Sequence, residues 1–434
     1  MENITVKFGG SSLADAAQMR KVAAIIEANP MRRYVVVSAP GRRFPEDTKV
    51  TDLLYSAHRA AGTPEFDGVM DQITERFAAI TRDLGLDADL GLEQIAADIA
   101  NGAGEDYCAS RGEYLNARVM AKLLDRPFID AADCVFFRAD GSFDAQRTDE
   151  ALGWALHALP GAVIPGFYGA NPDGSIRTFS RGGSDITGAL VARATGAEYY
   201  ENWTDVSGIL ATDPRIVPDA RPIRRITYRE LRELAYMGAS VLHEDAIYPV
   251  RTAGIPIHIR NTNDPEDPGT IILDDALGIE APPVTGIAGK KDFSIIQIEK
   301  DQMNESTGFV SRVLAPFSAR GISIEHIPTG IDSMCVVVPT AQLRDCRTEL
   351  LREIRDAVSP DVILVENDLA LAAVVGRGMV RRKGIAAKLF AALAAAGVNV
   401  RMIDQGSGEL NIIVGIDSAD YEAAIRALYG AFFK

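Results

Sequence analysis

The chain has 434 residues, 47% hydrophobic and 24% charged, with a formal net charge of −15. That size supports two to four domains with ample cores, and the charge argues against nucleic acid or an anionic membrane as a main partner. No apolar run approaches a membrane span. The N-terminus reads directly as a strand, with no leader. Cys108, Cys134, Cys335 and Cys346 lack metal or redox spacing, and the five histidines do not cluster. A cytoplasmic protein with buried thiols and no transition-metal site is therefore expected.

The first element, Ile4-Thr5-Val6-Lys7-Phe8, is a β-prone run carrying one lysine, followed at once by Gly9-Gly10-Ser11-Ser12. Glycines at a strand end let the backbone approach a ligand, and successive N–H groups can form an anion-binding concavity beside the lysine charge; taken alone, such a turn is more often structural. The spacing is not that of a Walker A loop. A helix over 14–28 and a strand over 34–38 follow, then a long helical region over 51–124, broken near Thr63-Pro64 and Gly85. Within it lies Ser110-Arg111-Gly112-Glu113. A strand over 162–165, a helix over 184–195 and a strand over 198–203 complete the pattern. This alternation predicts an α/β domain with a mainly parallel sheet sandwiched by helices.

Ser180-Arg181-Gly182-Gly183-Ser184-Asp185 precedes one of these helices. Two glycines leave its N-terminus open to an anion, Arg181 adds a bidentate donor, and Ser184 or Asp185 is expected to cap it. The loop running from Thr204-Asp205 to Asp213-Pro214-Arg215 follows a strand, where parallel sheets bind ligands; a hydrogen-bonded turn is the competing reading. Residues 261–269, rich in Asn, Asp and Pro, read as a boundary loop.

The C-terminal third repeats itself with a displacement of 76 residues: Gly308, Gly321 and Gly330 return as Gly384, Gly397 and Gly406. Each unit reads strand, helix, strand, hairpin, strand, helix, so two copies of one α+β module are expected. The second copy stops after its second helix and lacks a last strand. Residues 284–288 are a spare β-prone segment, which predicts that the first module (292–366) is inserted in the second (284–291 plus 367–434).

These motifs, in this order, resemble those of the aspartate kinases, members of the amino acid kinase superfamily. The resemblance takes in Val6-Lys7-Phe8-Gly9-Gly10-Ser11-Ser12, Ser-Arg-Gly-Glu at Ser110, Arg181-Gly182-Gly183-Ser184-Asp185, Trp203-Thr204-Asp205-Val206, Thr212-Asp213-Pro214-Arg215, and 233–243. It implies an amino-acid-kinase fold over 1–283, followed by two ferredoxin-like ACT modules, with no homoserine dehydrogenase-like domain. It also implies phosphorylation of L-aspartate by ATP, with Mg²⁺ carried mainly on the nucleotide phosphates. Acetylglutamate or glutamate kinase, or a silent amino-acid sensor, are the alternatives.

By the same resemblance Lys7 and Asp185 are catalytic. Gly9, Gly10, Ser11, Thr204, Asp205 and Arg215 bind the nucleotide. Arg181 clamps the substrate α-carboxylate, Glu113 pairs with its ammonium, and Ser38, Thr51, Phe167 and Ser184 line the same pocket. The ACT modules imply feedback by lysine or threonine and pairing of modules into a dimer or larger homo-oligomer. Met303, Asn304, Gly308, Phe309, Glu325 and Thr329 are the expected effector residues. Leu210 stands where relatives carry tyrosine, Ser240 where they carry lysine, Glu244 where they carry proline, and Ser11 where threonine is frequent.

Overall fold

The computed structural model describes residues 2–180, 182–239, 242, 244–274 and 282–434. Residues 1–209, 222–228 and 241–277 form one compact unit; 210–221, 229–240 and 278–434 form a second.

The first unit is built on a seven-stranded sheet among the described residues. Its order is Ala162–Pro165, Arg32–Val37, Ile4–Phe8, Tyr199–Thr204, Ile257–Asn261, Thr270–Leu273, Arg225–Thr227. Every pairing is parallel except that of Ile257–Ile259 with Thr270–Ile272. The central strand Ile4–Phe8 is buried along its whole length, as expected where helices cover both faces of a parallel sheet.

The expected helix over 14–28 forms as Ala16–Glu27, with the Asp15 carboxylate accepting from Gln18 N at its N-cap. The long helical region is four helices: Val50–Ala60, Glu65–Leu84, Leu92–Ala100 and Glu105–Leu123. Two of its breaks fall at Pro64 and at Gly85, which sits at φ 72° and closes the second helix. The break before Glu105 had no Pro signal; Gly102, at φ 89°, makes it. Met19, Val22, Ile26, Leu54, Ile73, Phe77 and Leu115 pack beneath the sheet in one apolar core.

The second unit carries a five-stranded sheet with order Ser333–Pro339, Gly286–Glu299, Val362–Val375, Asn411–Asp417, Val400–Asp404. Two of these strands are long and each breaks near its middle. Phe293–Glu299 pairs with Ser333–Pro339 and with the first half of Val362–Val375, whereas Gly286–Lys290 pairs with Leu371–Val375. Asp292 (φ 70°) and Asp368 (φ 62°) occupy the left-handed region at this break, beside the register shift around Phe293. Helices Phe309–Ala319 and Arg347–Val358 cover one half; Ile385–Ala395 and Tyr421–Phe433 belong to the other.

The repeat has a backbone cause. Gly308 and Gly384 both start a helix from the left-handed region, and Gly321 and Gly397 both leave one there. Residues 210–221 and 229–240 join this unit through hydrogen bonds: Ile287 N donates to Ala211 O, Arg221 N to Tyr429 Oη, and Thr285 Oγ1 to Glu230.

Candidate active site

Side chains alternate across a strand, and residues in register on neighbouring strands share a face. Lys7 and Asn202 are such partners at the centre of the first sheet. Asp185 meets them from the first turn of helix Gly183–Ala194. Lys7 Nζ lies 2.5 Å from Asp185 Oδ1. Asn202 Nδ2 donates to that same oxygen at 2.9 Å, and Lys7 Nζ reaches Asn202 Oδ1 at 3.5 Å. The Lys7 side chain is 9% exposed and that of Asp185 21%.

The expected capping of this helix by Ser184 or Asp185 does not occur. Gly182, at φ 59°, holds the N-cap without a side-chain bond. Ser184 is buried inside the helix, so close to Gly166 that a Cβ there would fall 2.6 Å from Ser184 Oγ. Asp185 is committed to Lys7 and Asn202 instead.

The strand Ile4–Phe8 ends in Gly9, whose N–H donates to Trp203 O at 3.0 Å. A Cβ on Gly9 would sit 3.9 Å from Lys7 Nζ, and one on Gly10 would press to 2.9 Å from Ala39 O. Gly9 therefore brings bare backbone beside the lysine, and Gly10 packs bare backbone against Ala39 and Gly41. A cleft of about 540 Å³ opens beside them, lined by Gly10, Ser11, Ser38, Thr51, Glu113 and Asp205, with Arg42, Arg43 and Lys49 adding positive charge. Lys7, Gly9, Phe167, Ser184 and Asp185 are not part of that lining. Lys7 and Gly9 adjoin it through Gly10.

Glu113 is the unusual group in this cleft. It is 6% exposed, it accepts from the Ala39 N–H, and its Oε2 has no partner. Burial pushes its carboxyl up to about 8; the Ala39 bond and the charges of Arg111 and Lys7 oppose that shift less strongly. The wall of the cleft is pinned from behind. Buried Arg76 donates to Gly41 O at 2.5 Å and to Asp47 at 2.7 Å, and Gly41 N donates to Gly10 O. Asp47 also receives Arg43, and the two guanidiniums hold its carboxyl well below the usual range.

Other expected site residues stand apart. Phe167 occupies the left-handed region at φ 81° on the neighbouring turn, its N–H donating to Thr187 Oγ1. Thr204 Oγ1 donates to Asp205 Oδ1. Arg215 belongs to the second unit, where it forks onto Asp213 at 2.6 Å with its side chain 89% exposed. Leu210 also belongs there. Arg181 and Ser240 lie outside the described residues.

In the second unit Met303 and Phe309 are buried, Asn304 and Gly308 are exposed at the turn that opens helix Phe309–Ala319, and Thr329 is exposed apart from that turn's sequence, bridged to Met334. Glu325 is not simply solvated: it accepts a hydrogen bond from the Tyr236 hydroxyl, and burial together with this bond raises the phenol above its usual pKa.

Sequence motifs did not point to Asn202, Arg76 or Asp47. One signal was available for the first. Tyr199–Thr204 places Glu201 and Asn202 side by side in a buried central strand, and buried polar side chains require partners. Among the described residues, no three His, Cys, Asp or Glu side chains group to hold a metal, and no helix is long and apolar enough to cross a membrane.

Residues 4–261 match the amino acid kinase family, and residues 373–432 match an ACT domain. Aspartokinase 3 of Bacillus subtilis is 38% identical over 448 aligned residues, covering 99% of this chain and 98% of its own. The crystal structure of Clostridium acetobutylicum aspartate kinase is similar at a TM-score of 0.94 and 48% identity, covering 99% of this chain and 100% of that one. E. coli aspartokinase III in complex with aspartate and ADP, in its R-state, is similar at a TM-score of 0.76 and 27% identity, with full coverage of both chains. The same enzyme with lysine and aspartate, in its T-state, gives 0.74 at 26%.

Proposed function

The chain belongs to the amino acid kinase family as an aspartokinase with an ACT domain, and from this premise we propose that it converts L-aspartate and ATP to 4-phospho-L-aspartate and ADP, opening the lysine, threonine and methionine branch. The observation that carries this reading is the Lys7–Asp185 pair set beside the bare Gly9-Gly10 backbone and next to a cleft containing buried Glu113.

A side-chain carboxylate is already ionised near neutrality, at a free pKa of about 3.9, and needs no general base. A carboxylate oxygen attacks the γ-phosphorus, the bond to the β-phosphate oxygen breaks, and ADP leaves with that electron pair. The difficulty is one of charge, an anion approaching a polyanion. Positioning and positive charge therefore supply the catalysis. Lys7 neutralises the transferring group, Asp185 orients Lys7, and the amides at Gly9, Gly10 and Ser11 cradle phosphate. Mg²⁺, which would be carried on the nucleotide phosphates, would add positive charge to the transferring group. Thr204 and Asp205 complete the nucleotide contacts of this unit. Glu113 and Arg181 hold the two charged ends of the amino acid, with Ser38, Thr51, Phe167 and Ser184 about it. A coupled assay of ADP release should show turnover with aspartate and none with glutamate or acetylglutamate; turnover with either of the latter would overturn the substrate assignment.

Glu113 makes substrate binding depend on pH. In the folded, empty protein its pKa of about 8 lies above the unfolded value of about 4.3, so the folded state holds the proton between these values. The stability it contributes is present at low pH and is lost as pH rises through about 8. Binding an ammonium requires the ionised form and so releases that proton. The KM for aspartate should fall as pH approaches 8, by up to about tenfold per unit, and level off above it. Glu113→Gln should flatten the profile. A parent profile that is already flat would remove Glu113 from ammonium binding.

We assign residues 1–283 to the kinase domain, 292–366 to one ACT module and 284–291 with 367–434 to the other, in a cytoplasmic homo-oligomer paired through these modules. Lysine or threonine is the effector, bound at Met303, Asn304, Gly308, Phe309 and Thr329, with Glu325 receiving its ammonium. Capture of Glu325 competes with its bond to Tyr236, which gives the ligand a difference to act on between two conformations. Titration with lysine and threonine, singly and together, should show cooperative inhibition that Glu325→Ala weakens. No inhibition and no shift in melting temperature at millimolar concentrations would leave the modules with assembly alone.

A further inference from the structure

Asn202 lies one strand from Lys7, yet its side chain does what neither charged partner can. Its amide is bipolar. The NH₂ faces the Asp185 carboxylate at 2.9 Å and the carbonyl oxygen faces the Lys7 ammonium at 3.5 Å. Only one orientation satisfies both neighbours, since the flipped amide would set oxygen against oxygen and N–H against N–H. Asn202 is 5% exposed and sits in the middle of a buried strand, so its side chain cannot swing to solvent.

The consequence falls on Asp185. Its Oδ1 takes both Lys7 and Asn202, and its Oδ2 has no hydrogen bond among the described residues. A two-membered Lys–Asp pair can rotate about its single contact. A third group fixed by the strand removes that freedom and leaves one carboxylate oxygen and one lysine N–H unspent. Tyr200 steadies the same turn, its hydroxyl donating to Asp185 O at 3.1 Å.

We propose that Asn202 is a positioning residue for phosphoryl transfer, holding Asp185 Oδ1 against Lys7 so that the ammonium keeps a fixed direction toward the transferring group. The inference rests on the assignment of Lys7 and Asp185 to the reaction. Reacting groups misplaced by about 1 Å can lose about 100-fold in rate. Neutrality is part of the role. A second carboxylate here would face Asp185 Oδ1 at like charge and compete for Lys7.

The test is steady-state kinetics on the full chain with Asn202→Leu and Asn202→Asp, alongside Lys7→Ala, each checked for folding by circular dichroism and melting temperature. Asn202→Leu should lower kcat about 10- to 100-fold, with the KM for aspartate and ATP within about twofold of the parent. Asn202→Asp, although nearly the same shape, should lose at least as much. A packing role predicts the opposite order, with Asn202→Asp the milder change. A folded Asn202→Leu or Asn202→Asp enzyme with parental kcat would overturn the proposal, as would a rise in KM at unchanged kcat. Should one variant fail to fold, the other decides by the same criteria. Lys7→Ala separates the two levels: if it too turns over normally, the assignment of the pair is wrong, whereas an inactive Lys7→Ala beside a normal Asn202 variant removes Asn202 alone.

Discussion

Replacing Lys7 by alanine, or Asp185 by asparagine, is expected to lower kcat by about 100-fold or more in a protein that still folds. The size follows from the problem the site must solve. Aspartate brings a carboxylate to a triphosphate, and no side chain has to move a proton to start the reaction. Nearly all the barrier reduction must then come from charge placed in advance where charge develops. Lys7 is suited to this because its ammonium is sequestered at 9% exposure, beneath a Gly-Gly turn that brings no Cβ between it and a ligand. Loss of Lys7 does not strand Asp185 in apolar surroundings. A fifth of its side chain is exposed, and Asn202 still donates to it. The fold should therefore survive Lys7→Ala, and in Asp185→Asn the Asn202 carbonyl oxygen still accepts from the Lys7 ammonium. Measured kcat and KM for both substrates, with circular dichroism, check this; a well-folded Lys7→Ala enzyme with near-parental turnover would take Lys7 out of the mechanism.

The parts of this molecule that were legible beforehand are those written in local backbone chemistry. Lys7, Gly9 and Gly10 stood out because a charge in a β-prone run followed by two glycines suits a phosphate, although such a turn alone is more often structural and the later motifs carried the reading. The 76-residue repeat was visible because left-handed backbone at Gly308, Gly321, Gly384 and Gly397 demands glycine at each place. Interactions across long sequence separation were not visible. Nothing in Arg76 tells that it reaches back to Asp47 and Gly41 and, through Gly41, braces Gly10. The misplaced helix cap has the same origin. Ser184 and Asp185 satisfy the local rule for capping, and the tertiary demand of Lys7 for a counter-ion outranks it. Glu113 was found by its motif, but its perturbed carboxyl depends on burial that only the packed helix supplies.

The largest loss of stability should come from a neighbour of Asn202 that plays no part in the reaction. Glu201 and Asn202 are consecutive, so the strand turns them to opposite faces. Asn202 serves the Lys7 face. Glu201, 4% exposed, accepts from Arg32 Nε at 2.9 Å and Nη2 at 3.2 Å, and from Trp203 Nε1 at 2.8 Å. Arg260 approaches it at 3.7 Å. The two guanidiniums lie 5.2 and 4.6 Å from the centre of the fully buried Trp203 ring, which also stacks on Phe8. Glu201 is thus the shared counter-ion of one buried cation, Arg32, and one half-buried cation, Arg260. Glu201→Ala leaves both without it, a situation that costs about 3–5 kcal/mol per broken buried pair. That corresponds to a fall in melting temperature on the order of 10 °C for a unit of this size. Glu201→Leu combined with Arg32→Met should recover the part of the loss that falls on Arg32, because replacing those two charges together strands neither, while Arg260 stays without its carboxylate. The kcat of the folded Glu201→Ala fraction should change far less than that of Lys7→Ala, since its side chain never reaches the cleft. Thermal and denaturant unfolding of the single and double variants provide the measurement. A Glu201→Ala protein within 1 kcal/mol of the parent, or a double variant worse than the single, would show that water rather than Glu201 compensates the two guanidiniums.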